Sequence, residues 1–200
     1  MRFAFMTFSC PELTLTEVIG VAKRFGYDGI EPRVGASHKP GVEPRTDEEA
    51  VRRIKEEVDQ GGIPLACLAS SCKYADPATC AENVATTREI IDLAGALEVP
   101  RIRVFGGKLP EGMSREKATA HVSDALAELA PYAAEKDVTL CMETHDHWCD
   151  PEHVKAVMEK VNHPNVAVNW DIMHPVRIAD VSVRRSFDVL RPWIQHLHVQ

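Results

Sequence analysis

Three residues with metal-competent side chains close three successive segments of alternating apolar and polar character. Glu143 ends the run from Val138, Asp171 follows the run from Val166, and His198 lies in the run from Ile194. Carboxylate and imidazole donors suit a divalent cation (Mn²⁺, Mg²⁺, Co²⁺ or Zn²⁺), the harder ions gaining as the share of oxygen ligands rises. Any one of the three would fit a polar buried layer without metal, but three on successive segments favour a metal. A bound cation would stabilise negative charge developing on a substrate oxygen, and Glu143, tuned by burial, can serve as a base.

Other residues extend this centre. Arg33 and Lys108 are suited to a substrate carboxylate or phosphate, or to neutralising developing negative charge. His145, His147 and Trp148 follow Glu143 closely, and Trp148 offers an apolar wall to a sugar ring. His145-x-His147 imitates a zinc pair, but histidines in loops are common and carry the weaker claim. His196 fits best as a hydrogen-bonded residue behind the ligands. Glu31, Arg33 and Arg103 could form a layer of buried ion pairs, since buried charges are usually matched. Gly106-Gly107 reads as a tight turn rather than a phosphate cradle.

The elements that must position these groups alternate regularly. Strands are expected over 2–7, 28–33, 64–70, 101–105, 138–143, 166–170 and 194–199, and helices over 15–25, 47–60, 77–97, 115–136, 151–161 and 181–191. Thr14-x-x-Glu17 and Thr46-x-x-Glu49 resemble capping boxes, and Asp76-Pro77, Ser114 and Asp150-Pro151 mark further helix starts. Gly26 and Gly61 stand where helices should stop. Alternating βα units imply a parallel sheet covered by helices. One face of each strand is apolar and the other smaller or more polar, whereas a doubly wound sheet is apolar on both faces. The pattern therefore predicts an α/β fold of the (β/α)8 TIM-barrel type. It is a single domain over 1–200, with the seventh helix, eighth strand and eighth helix absent after the seventh strand.

Composition narrows the partners. The 200 residues carry 44% hydrophobic and 26% charged side chains, as a soluble globular protein does. A net charge of −7 argues against a nucleic-acid or anionic-membrane partner. Six cysteines without a C-x-x-C spacing read as free thiols in a reducing, cytoplasmic setting. No leader peptide or membrane-spanning run is expected. The composition is compatible with a homo-oligomer.

Residues 142–200 carry a resemblance to a known family. Asp171-Ile172-Met173-His174 looks like the D-x-x-H motif of the xylose isomerase-like TIM-barrel superfamily, the sugar phosphate isomerase/epimerase group. Met142-Glu143-Thr144-His145 resembles its fifth-strand carboxylate, and His196-Leu197-His198-Val199-Gln200 its seventh strand. The resemblance implies that Glu143, Asp171 and His198 bind one divalent metal, and that a glutamate from an eighth strand completes the site and the acid/base pair. It further implies that His174 contacts a carbohydrate substrate or supports the metal. The leading expectation is thus a metal-dependent sugar or cyclitol isomerase or epimerase. A keto-cyclitol dehydratase is the alternative within the superfamily. An AP-endonuclease-like hydrolase would need extra histidines on the second and third strands, which end in Glu31-Pro32-Arg33 and Ala69-Ser70-Ser71. A non-catalytic barrel remnant is the remaining reading.

Overall fold

The computed structural model describes residues 1–199. Strands β1 (Ala4–Met6), β2 (Gly29–Glu31), β3 (Leu68–Lys73), β4 (Arg101–Phe105), β5 (Thr139–Glu143), β6 (Val166–Asp171) and β7 (Ile194–His198) alternate with helices. These are α1 (Leu15–Phe25), α2 (Glu48–Gly61), α3 (Pro77–Ala96), α4 (Arg115–Glu135), α5 (Pro151–Val161), α6 (His174–Ala179) and α7 (Val183–Leu190). β1 pairs with β2, and a five-stranded sheet runs β3-β4-β5-β6-β7. β1–β2, β5–β6 and β6–β7 are parallel. Within each sheet the described strands follow chain order, without the reversal that marks a doubly wound sheet. The α/β fold is that of the TIM-barrel class, as the strand alternation predicts.

By contact density the described residues divide into two compact units. The first holds Met1–Ser71, Glu89–Ile102 and Lys136–Val138; the second holds Cys72–Arg88, Arg103–Glu135 and the chain from Thr139 on. In the first unit, parallel bridges Ile30↔Leu65 and Arg33↔Ala69 carry the order past β2. Helix α1 buries Leu15, Val18, Ile19 and Ala22, one stripe at helical spacing. In the second unit, α4 buries Ala118, Val122, Ala125, Leu126, Leu129 and Ala133 along the face that meets β5 and α5. Each fully buried leucine of that stripe contributes about 1.5–3 kcal/mol by leaving water.

Helix ends follow the sequence signals with two shifts. Thr14 and Glu17 form the expected reciprocal capping box. The second box is displaced by one residue. Asp47, not Thr46, accepts the Ala50 N–H, while the Thr46 hydroxyl donates to the Glu43 carbonyl. Similarly α2 ends on Gly62 at φ +63°, because Gly61 is still helical and lies against the Ile19 side chain. Helix α6 was not expected. It forms because Asp171 turns the chain back at the end of β6.

Replacing either cap by alanine should lower stability by about 1 kcal/mol. Thr14→Ala and Asp47→Ala are expected to shift the urea midpoint accordingly, measured by circular dichroism. Thr46→Ala, which removes no cap, should shift it less than Asp47→Ala.

Candidate metal centre

The site grows out of the C-terminal ends of β5, β6 and β7. In the β5–β6 ladder Glu143 stands opposite Asn169. In the β6–β7 ladder Asn169 stands opposite His196 and Asp171 opposite His198. Paired residues of a sheet share a face, as do residues two apart on one strand. Glu143, Asn169, Asp171, His196 and His198 therefore project to the same side. The β6–β7 register slips between Val168 and Asn169, so that Gln195 is passed over.

Glu143 and Asp171 are buried, 3% and 0% exposed. Oδ1 of Asp171 accepts the backbone N–H groups of Met173 and His174, both at 2.8 Å. Oδ2 is buried and accepts no hydrogen bond, with His174 Nδ1 3.4 Å away. His174 Nδ1 lies 3.2 Å from the Thr144 carbonyl oxygen. A carbonyl can only accept, so Nδ1 carries a proton, and the neutral ring then has its lone pair on Nε2. One ligand atom from each of Glu143, Asp171 and His174 falls within 4.8 Å of the others.

His198 joins through Glu143. Its Nδ1 is 3.3 Å from Glu143 Oε1 and 3.1 Å from the Asn169 amide nitrogen. Arg103 Nε stands 3.4 Å from Glu143 Oε2, with its guanidinium 4.1 Å above the Phe105 ring centre. Burial works to raise the Glu143 pKa. The His198 hydrogen bond and the charge of Arg103 outweigh it, and the carboxyl is held below its ordinary value. The same field acts on Cys149, whose thiol is pushed up to about 12 by burial and by the carboxylates of Asp146, Asp171 and Glu143.

These observations fit a divalent cation. Arg103 and His198 meet Glu143, but a buried oxygen that accepts no hydrogen bond is costly unless something positive meets it. Oδ2 of Asp171 is such an oxygen, and Glu143 and His174 each offer a ligand atom within 4.8 Å of one on Asp171.

The remaining expected residues are distributed as follows. His145 is half-buried, its ring edge-on to His174 at 4.5 Å and 4.8 Å from that of Phe105. Lys108 is exposed on the loop after β4. Trp148 presents no surface to solvent: it is fully buried and donates its indole N–H to the Gly107 carbonyl at 2.7 Å. A Cβ on Gly106 would lie 2.3 Å from Trp148 Nε1. His147 Nδ1 accepts the Leu109 N–H at 2.9 Å. His147 and Trp148 thus clamp the loop that carries Lys108, and Gly106-Gly107 is a turn closed by that clamp. In the first unit, Arg33 donates to Ser71 Oγ and its backbone N–H to Thr7 Oγ1.

Three residues of the centre were not singled out for it in the sequence. Asn169 was recognisable from the same alternation that selected Asp171, two positions on. Arg103 was seen only as a member of a charge layer. Thr144, whose hydroxyl bridges the Asp171 backbone, leaves no sequence signal, since it depends on the inter-strand register.

Two outcomes follow from this packing. Gly106→Ala should cost about 1–3 kcal/mol by overpacking against Trp148, read as a lower urea midpoint. Because the thiolate is the reactive form, Cys149 of the folded protein should stay unmodified by iodoacetamide at about pH 8, checked by peptide mass spectrometry.

Comparison with known proteins identifies the family. Residues 19–200 match the family model described as the xylose isomerase-like TIM barrel. The 3-dehydroshikimate dehydratase of Bacillus anthracis is 21% identical over 206 residues, covering 99% of this chain and 71% of that protein. The structure of a D-psicose 3-epimerase in the presence of D-fructose superposes with a TM-score of 0.83 at 16% identity, covering 100% of this chain and 73% of that one. A Mycobacterium smegmatis xylose isomerase-like protein in complex with magnesium gives 0.77 at 14%, covering 100% and 74%. Among the described residues no helix is long and apolar enough to cross a membrane. The chain belongs to the xylose isomerase-like TIM barrel family.

Proposed function

We propose that this protein is a divalent-metal-dependent enzyme that epimerises or isomerises a small sugar, sugar phosphate or cyclitol by moving a proton next to a carbonyl. The observation that carries the proposal is that one ligand atom each of Glu143, Asp171 and His174 lies within 4.8 Å of the others, while Asp171 Oδ2 is buried and accepts no hydrogen bond. The C-terminal ends of the strands are where enzymes of this fold build their sites. The likeness to an epimerase and to a magnesium-bound relative supports the same reading.

Glu143 and Asp171 would hold the cation, with a histidine from His174 or His198. When bound, the cation supplies electrostatic stabilisation of negative charge on a substrate oxygen. Glu143 is the base. His198 and Arg103 keep it ionised, and an ionised carboxylate within reach of a C–H can accept the proton. His174 offers the lone pair of Nε2 to a substrate hydroxyl, and the half-buried ring of His145 stands beside it. Lys108, on the loop held by His147 and Trp148, would meet an anionic or hydroxyl-bearing end of the substrate.

Dehydration is the second reading. It shares proton removal next to a carbonyl but expels a hydroxyl on the neighbouring carbon, and the curated dehydratase relative favours it.

The test has two parts. Calorimetry with Mn²⁺ should show binding to the unaltered protein, weakened about tenfold or more in both Glu143→Gln and Asp171→Asn. Unchanged metal content in both variants would sink the assignment. With Mn²⁺ in D₂O, NMR should then show deuterium entering beside the carbonyl of D-psicose or D-fructose, with the epimer appearing. Loss of water from 3-dehydroshikimate without exchange into either ketose would decide for the dehydratase.

A further inference from the structure

Thr144 follows Glu143 directly and is fully buried. Each of its polar groups is spent on the end of β6 or on the helix that follows. Its backbone N–H donates to the Asn169 carbonyl at 3.2 Å. Its hydroxyl accepts the Asp171 N–H at 2.9 Å and donates to the Asp171 carbonyl at 3.1 Å. Its own carbonyl receives His174 Nδ1–H at 3.2 Å. One residue next to Glu143 is therefore bonded to the backbone of Asn169 and Asp171 and to the His174 ring.

The ladder alone does not do this. Glu143 pairs with Asn169, two residues short of Asp171, and both strands end at these carboxylates. Beyond that point no regular β5–β6 pairing is left to hold Asp171 beside Glu143. The Thr144 hydroxyl continues the attachment for one more step, taking the place of a backbone partner for both the N–H and the C=O of Asp171. Burial makes these bonds strong and their loss costly, because no water can replace them.

We propose that Thr144 is a positioning residue for the metal centre: its hydroxyl, bonded to both the N–H and the C=O of Asp171, sets the distance between Glu143 and Asp171. This rests on the metal-centre reading above. Groups that orient ligands from behind typically govern metal affinity by about 10–100-fold.

The experiment compares Mn²⁺ binding by calorimetry for the unaltered protein, Thr144→Val and Thr144→Ser, with apo thermal unfolding measured alongside. Valine keeps the shape and removes the hydroxyl; serine keeps the hydroxyl and removes a methyl. Thr144→Val should weaken binding about tenfold or more while remaining folded, and Thr144→Ser should stay within about threefold of the unaltered protein. If the valine variant does not fold, Thr144→Cys takes its place, its thiol being a poorer donor and acceptor. Its affinity should then fall clearly below that of the serine variant. Equal affinity in the valine (or cysteine) and serine variants would overturn the proposal. Loss of affinity in both that merely tracks a lowered apo melting temperature would overturn it too, since packing alone would then explain the effect. Failure of the unaltered protein to bind Mn²⁺ would instead refute the metal-centre reading itself.

Discussion

The reach of β7 into the candidate centre depends on a one-residue slip in its pairing with β6. Up to Val168 the ladder pairs Val168 with Ile194; beyond it, Asn169 pairs with His196 and Asp171 with His198. Without the slip, Asn169 would face Gln195 and Asp171 would face Leu197. Side chains alternate along a strand, so an unslipped β7 would turn both histidines away from Asp171. A bulge of this kind locally disrupts the ladder and re-aims a side chain, which is why such features recur next to active sites. Here it sets His198 within hydrogen-bond reach of Glu143 and Asn169.

The electrostatics follow from that placement. Two carboxylates are buried within one small region, an arrangement that desolvation opposes. Arg103 and His198 meet Glu143, and the backbone N–H groups of Met173 and His174 meet one oxygen of Asp171. The remaining Asp171 oxygen receives no hydrogen bond. The site thus retains excess negative character at one identified atom, in line with the raised Cys149 thiol nearby. A cation at that atom would convert a cost into a binding interaction.

Much of the fold could be read from residues alone. Strand alternation separated a barrel-type sheet from a doubly wound one, and the helix starts at Thr14, Asp76, Ser114 and Asp150 stand where their side chains predicted. Glu143 and Asp171 could be picked out because both end alternating strands. Features that depend on contacts between distant segments were not legible. Nothing local distinguishes Thr144 from any buried threonine, or marks Gln195 as the residue the ladder skips. Trp148 illustrates the converse. Its type suggested a surface for a sugar ring, but its indole N–H needed a partner and found the Gly107 carbonyl, so the ring serves the loop instead. Asp47 displaced Thr46 as a cap for a similar local reason: the Thr46 hydroxyl was already engaged by Glu43.

The central claim is that the ends of β5 and β6 hold a divalent cation between Glu143 and Asp171. Anomalous diffraction from a crystal grown with Mn²⁺ tests it most directly. The account predicts one strong anomalous peak within coordination distance of a Glu143 oxygen and of Asp171 Oδ2, with a ring nitrogen of His174 or His198 completing the contact. A fully occupied ion elsewhere, with Glu143 still paired to Arg103 and Asp171 Oδ2 still unbonded, would contradict it.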